Sequence, residues 1–205
     1  MSLEPDPPAR TGQRRRLVDD PRSIRALADP LRLRLRSIIG RNGRVTAADA
    51  ARELGISHGL ASHHLRQLAK YGFVEQVQGA DGRERPWQLT ATSDIFEGAE
   101  DQPGGPAAVA VLQRIAGEQS LVDLGDWHDR RAAWTPGWRK NSGLMSSTVY
   151  LTEEEHAGLI ADIDKLFSRY VEERPLDDLA ARPPGSVAVD FTIVVVPQEP
   201  TQAGH

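Results

Sequence analysis

The sequence predicts a mainly helical α+β fold, in which short helices dominate and a small amount of β-structure follows them. Three observations predict it. Between residues 21 and 71, apolar residues recur at helical spacing in short runs separated by Pro, Gly and capping residues. After Gly72 the period changes to that of a strand, twice, across a Gly-containing turn. The chain also has 205 residues, 39% hydrophobic and 26% charged, which suits one large or two small globular domains.

Composition narrows the chemistry. The chain has no cysteine, which excludes disulfides, thiolate metal sites and a cysteine nucleophile. No apolar run reaches the length of a membrane span, and the start MSLEPDPPARTGQRRR lacks the apolar stretch of a signal peptide. A soluble, cytoplasmic protein with no membrane partner is the expectation. The net charge of −4 hides an asymmetry. Residues 1–96 hold 16 Lys and Arg against 11 Asp and Glu, whereas residues 97–205 hold 9 against 18. A basic half followed by an acidic half suits one surface that faces a polyanion.

Taken in order, residues 1–20 are rich in Pro and Arg without apolar periodicity and read as a flexible basic arm. Pro21 suits a first helical turn, and Ile24 and Leu27 share a face before Asp29-Pro30 interrupts. In LRLRLRSIIG, the leucines alternate with arginines as in a strand, but Leu31, Leu35, Ile38 and Ile39 also fit helical spacing. The Pro30 start and Gly40 stop favour a helix from Leu31 to Ile39. Thr46 can cap the next helix, AADAARELG, in which Ala47, Ala50, Ala51 and Leu54 line one side for close packing. Gly55 can adopt the left-handed conformation that ends a helix sharply, Ile56 fills the turn, and Ser57 can cap again.

The next helix, SHGLASHHLRQLAKYG, carries most of the functional signal. Ala61, Leu65 and Leu68 fall on one side and face inward. Gly59, His63, Arg66, Gln67 and Lys70 point the opposite way with Ser62 at the flank, and no carboxylate stands among them. Such a face offers hydrogen-bonding and cationic groups to the base edges of a major groove. Beyond Gly72, residues 73–77 read as a strand, Gly79 to Gly82 as a turn and Trp87 to Leu89 as a returning strand. That hairpin is the wing of a winged helix-turn-helix, with Arg83 and Arg85 near its tip and within reach of phosphates or a minor groove. The candidate DNA contacts are therefore Thr46, Ser57, His58, Gly59, Ser62, His63, Arg66, Gln67, Lys70, Arg83 and Arg85. Taken singly, Ser62, His63 and Arg66 are equally compatible with an ordinary solvated face; the preceding short helix and tight turn favour DNA.

The segments ALADPLRLRLRSI, AARELGIS, LASHHLRQLAKYGFV and GRERPWQL, in this order, resemble the winged-helix domain of the arsenic-responsive repressor (ArsR) family over residues 21–90. The resemblance implies a homodimer bound to a pseudo-palindromic operator in double-stranded DNA, usually as a repressor released by a signal. The family's metal sites do not carry over. Residues 50–55 hold no cysteine, and Asp126-Trp127-His128, which matches the opening of another family site, has no further histidine before His156. Neither a metal nor another cofactor is expected.

Residues 97–205 read as a separate dimerisation or effector region after the domain at 21–96. EGAEDQPGG (residues 97–105) looks like an acidic linker, and a helix runs from Pro106 towards Arg131, with Val109, Leu112, Ile115, Leu121 and Val122 apolar and Gly117 interrupting. The family resemblance implies that this helix pairs across a dimer axis; packing on its own domain is the alternative. Trp127, Trp134 and Trp138 lie near His128, Arg130 and Arg131. Trp127, His128, Arg131, Trp134 and Trp138 can line a pocket for a small-molecule effector, or the rings can serve as core or interface packing. Ser147 to Leu151 reads as a strand, and Thr152 to Glu155 as a capping box that opens a helix bearing Leu159, Ile160, Ile163, Leu166, Phe167 and Tyr170. Val187 to Val196 reads as an apolar strand. Two strands and a helix are a thin unit, expected to pack on the preceding helix or to join a sheet with a second subunit. The chain is not expected to be an enzyme: it has no GxSxG elbow, phosphate-cradling Gly-rich loop or HExxH pair. The alternative is a docking module for protein or RNA joined to a ligand-binding or enzymatic C-terminal region, for which only His128, His156 and scattered carboxylates speak.

Overall fold

The computed structural model describes residues 15–78, 85–91, 93–96, 98–174 and 178–198. The fold is mainly helical with a small amount of sheet, as the apolar periods predict. Strand β1 (Arg15–Leu17) precedes helices α1 (Pro21–Leu27), α2 (Pro30–Asn42), α3 (Ala47–Leu54) and α4 (His58–Lys70). Strands β2 (Val74–Gln76), β3 (Trp87–Leu89) and β4 (Ser93–Ile95) come next. The remaining helices are α5 (Gly105–Arg130), α6 (Pro136–Asn141) and α7 (Glu153–Glu173), with short 3₁₀ turns at Ala99–Asp101, Arg131–Ala133 and Leu179–Ala181.

Local chemistry sets the helix starts. The Asp20 carboxylate accepts from the backbone N–H groups of Arg22 and Ser23, and Asp29 accepts from that of Arg32, each just before a proline at the first helical turn. The ambiguous Leu/Arg run is helical and buries Leu35, Ile38 and Ile39. It runs past Gly40, which lies buried inside α2; Gly43, at φ 77°, ends the helix instead. The burial of Ile38, Ile39 and Gly40 itself against the core outweighs the modest helical cost of a single glycine.

The core joins Ile24, Leu27, Leu35, Ile38, Ile39, Leu65, Leu68, Phe73, Val74 and Trp87 to Ala99, Ala108, Val109 and Leu112 of the segment beyond the hairpin. Strands β2 and β3 pair antiparallel, Val74 opposite Leu89, and Val45 exchanges backbone hydrogen bonds with Trp87 (3.0 and 2.8 Å). These pairs form the base of the wing directly behind α4.

Several expectations are corrected. The arm expected to run free to residue 20 is tied down from Arg15, because β1 pairs parallel with β4. The Arg16 guanidinium lies 3.9 Å above the Phe73 ring, 3.2 Å from the Asp94 carboxylate, and donates to the carbonyls of Tyr71 and Gly72. The expected linker at 97–105 is anchored at two of its described residues, Ala99 and Gly105, which are buried, and Arg25 donates to the Gly104 carbonyl at 3.0 Å. Acidic and Gly-rich composition suggests a loose connection, but its small residues allow close approach of α5 to α1.

The strands expected at Ser147 to Leu151 and Val187 to Val196 are not strands. Apolar, β-branched composition sets a side-chain preference, whereas a strand also needs a neighbour offering its backbone groups. Helix α7 starts with the expected capping box: Thr152 Oγ1 accepts from the Glu155 N–H (3.2 Å) and the Glu155 carboxylate from the Thr152 N–H (2.8 Å). These hydrogen bonds hold the Glu155 carboxyl below its ordinary pKa.

Candidate nucleic-acid interface

Helices α3 and α4 form the pair in which the second helix is displayed. The Thr46 hydroxyl accepts from the Asp49 N–H at 3.1 Å and donates to the Asp49 carboxylate at 2.7 Å, which lowers the pKa of that carboxyl. Gly55, at φ 66° and ψ 32°, turns the chain in the left-handed region, and the Ile56 N–H reaches back to the Ala51 carbonyl at 3.0 Å. Ser57 Oγ then accepts from the Leu60 N–H at 3.2 Å to open α4.

Packing decides what α4 displays. Ala61, Leu65 and Leu68 are buried against the core. Ser57, His58, Gly59, His63, Arg66 and Lys70 are exposed, while Ser62 and Gln67 are half-buried at the flanks, as is Thr46 at the start of α3. The α4 sequence HGLASHHLRQLAK contains no acidic residue. Arg66 Nε donates to the Ser62 carbonyl at 3.1 Å, which braces the guanidinium along the helix surface. The N-terminal end of α4 adds the positive pole of the helix to this face.

Arg85 is exposed on the wing side of β3. Arg83 and the expected turn at Gly79 to Gly82 lie outside the described residues. On the strands themselves, Gln88 Nε2 donates to Glu75 Oε1 at 2.8 Å, so this carboxylate is held across the hairpin.

His64 is absent from the residues that the sequence singles out, yet it has the most distinctive environment on α4. Its side chain is 14% exposed, with Nδ1 3.7 Å from Asp29 Oδ1, and its ring meets that of His63 edge-on at 5.3 Å. Desolvation lowers its pKa, and Asp29 opposes that shift. Asp29 thus both caps α2 and faces α4, a coupling that spacing along the sequence does not reveal. A second group spanning the domain is Asp94, which receives Arg16 from β1 and Arg36 of α2 (2.8 Å). Its side chain is only 6% exposed. The arginines that alternate with leucines therefore include a structural member.

The tryptophans are brought together. Trp127 and Trp134 have ring centroids 5.6 Å apart, and Trp134 and Trp138 5.9 Å. All three are half-buried, His128 and Arg131 are exposed, and Arg131 donates to the Arg139 carbonyl at 3.4 Å. Among the described residues, no group of three or more His, Cys, Asp or Glu is placed to hold a metal ion. No described helix is long and apolar enough to cross a membrane.

A family model for a helix-turn-helix domain matches residues 27–77, from the end of α1 through α4 and the first wing strand. Comparison with curated proteins returns no match. The chain therefore carries a helix-turn-helix domain, and the match coincides with the elements that display the carboxylate-free face.

Proposed function

We propose that this protein is a sequence-specific, DNA-binding transcriptional regulator of the ArsR type, acting as a homodimeric repressor on a pseudo-palindromic operator. The observation that carries the reading is the outer face of α4, exposed, cationic and free of carboxylates, on the second helix of a helix-turn-helix. In this reading α4 enters the major groove, where Ser62, His63, Arg66 and Gln67 meet base edges. Thr46, Ser57, His58, Gly59 and Lys70 approach the flanking phosphates, and Arg83 and Arg85 reach the backbone or the minor groove from the wing.

The homodimer is supported by the C-terminal half. Among the described residues, none beyond Leu112 is buried, yet this stretch displays Leu121, Val122, Leu144, Met145, Tyr150, Leu166, Phe191 and Val194. Apolar surface on this scale marks a region that associates. Residues 21–96 thus serve as the DNA-binding domain and residues 97–205 as the dimerisation region, to which we assign the mutual ring contacts of the tryptophans as packing.

Selection from random duplex DNA with the full chain tests the proposal. A recovered palindrome with spacing near one helical turn, and affinity that falls steeply with salt, is the expected result. Absence of any enriched sequence contradicts it and favours a docking module for protein or RNA.

A further inference from the structure

Across residues 27–77, which the helix-turn-helix match covers, one large apolar side chain among the described residues is left exposed: Leu60, at 42%. It takes no part in the core, to which α4 contributes Leu65 and Leu68. Its place on the helix is fixed, because the Leu60 N–H donates to Ser57 Oγ at 3.2 Å in the capped first turn. At about 100° per residue, Leu60 lies within roughly 20° of Gln67 and about 60° of His63 around the helix axis. Side chains on a helix tilt towards its N-terminus, the end of a recognition helix that meets base edges.

Gly59 beside it is a second anomaly. Glycine inside a helix is unfavourable relative to alanine, and an added Cβ there would meet no described atom within 4 Å. Contacts inside the chain therefore do not call for the missing side chain. A bare backbone next to an exposed leucine suits close approach of a body from outside. A lone leucine among Ser62, His63, Arg66 and Gln67 is too small a patch for an apolar protein partner. On the major-groove edges of base pairs, the one apolar group is the thymine methyl.

We propose that Leu60 is a specificity-determining residue that reads the methyl group of a thymine, with Gly59 leaving the backbone free to come close. Resting on the entry of α4 into the major groove, this assignment makes a thymine part of each operator half-site.

Fluorescence anisotropy titration of the full chain tests the proposal, with the selected operator and with copies in which one thymine of one half-site at a time is replaced by uracil. Uracil keeps the hydrogen-bonding edge of thymine and lacks only the methyl group. At one thymine per half-site the replacement should weaken binding about fourfold, the effect of burying one such group. Leu60→Ala should bind the parent operator more weakly and lose the difference between thymine and uracil at that position. Leu60→Gln, similar in length and a good helix former, should lose it too, and thermal unfolding of both variants identifies any loss of fold. A half-site without thymine, binding indifferent to uracil at every thymine, or a thymine preference that survives in both variants overturns the proposal. Those results leave specific duplex binding standing, whereas selection that enriches no sequence contradicts both readings.

Discussion

Arg66 projects from the middle of α4 with its Nε held by the Ser62 carbonyl, an arrangement that extends the guanidinium without committing it to a carboxylate. If it reads a base, Arg66→Ala lowers specific affinity by about 1–3 kcal/mol, and in a binding titration the loss is largest on the preferred operator. Arg85→Ala, on the wing, should instead weaken all duplexes alike, and a loss confined to one base pair would contradict a phosphate role. His64 gives a stability prediction. Burial sets its folded pKa below the ordinary 6.5, so the unfolded chain takes up the proton first as pH falls. Its contribution is complete above pH 6.5 and is lost as pH falls through the folded value. Thermal unfolding midpoints should therefore drop less between pH 7 and 5 in His64→Gln than in the parent; an equal drop contradicts the assignment. The displayed residues were legible in the sequence because helical period alone separates Leu65 and Leu68 from His63 and Arg66. His64 facing Asp29 was not, because that meeting depends on how α2 crosses α4.

Two glycines separate strain from space at the scale of elements. Gly55 sits at φ 66° with open room around a would-be Cβ, so Gly55→Ala adds only left-handed backbone strain, about 1–2 kcal/mol in denaturant unfolding. A Cβ on Gly105 would run into the Ala99 carbonyl, so Gly105→Ala must push α5 off the domain and should destabilise more than Gly55→Ala. The reverse order would contradict the packed junction. Gly55 announced its role through its place between two capped helices. Gly105 did not, because EGAEDQPGG has the composition of a linker, and only the buried Ala99 reveals its tight packing. The strand periods of β2 and β3 were legible because the two strands are close in sequence and pair with each other. Those of residues 147–151 and 187–196 were not realised, since pairing depends on a partner that composition does not supply.

For the whole molecule, the buried core of the described residues ends at Leu112, and the described chain beyond it exposes Leu121, Val122, Leu144, Met145 and further large apolar side chains. A dimer that covers Leu121 and Val122 should be weakened about tenfold or more by Leu121→Glu in sedimentation equilibrium. A parent chain that remains monomeric at all concentrations contradicts the dimer. The basic and acidic halves were legible from charge alone, whereas the return of the C-terminal segment to α2 rests on contacts 141 residues apart, as between Arg182 and Arg41. The central claim is that the outer face of α4 meets DNA. Nitrogen-labelled protein titrated with a selected operator duplex tests it most directly by backbone amide shifts. The largest shifts should fall between His58 and Lys70, with a second group near Arg85. Unshifted α4 amides, with the changes gathered elsewhere on the chain, would contradict the account.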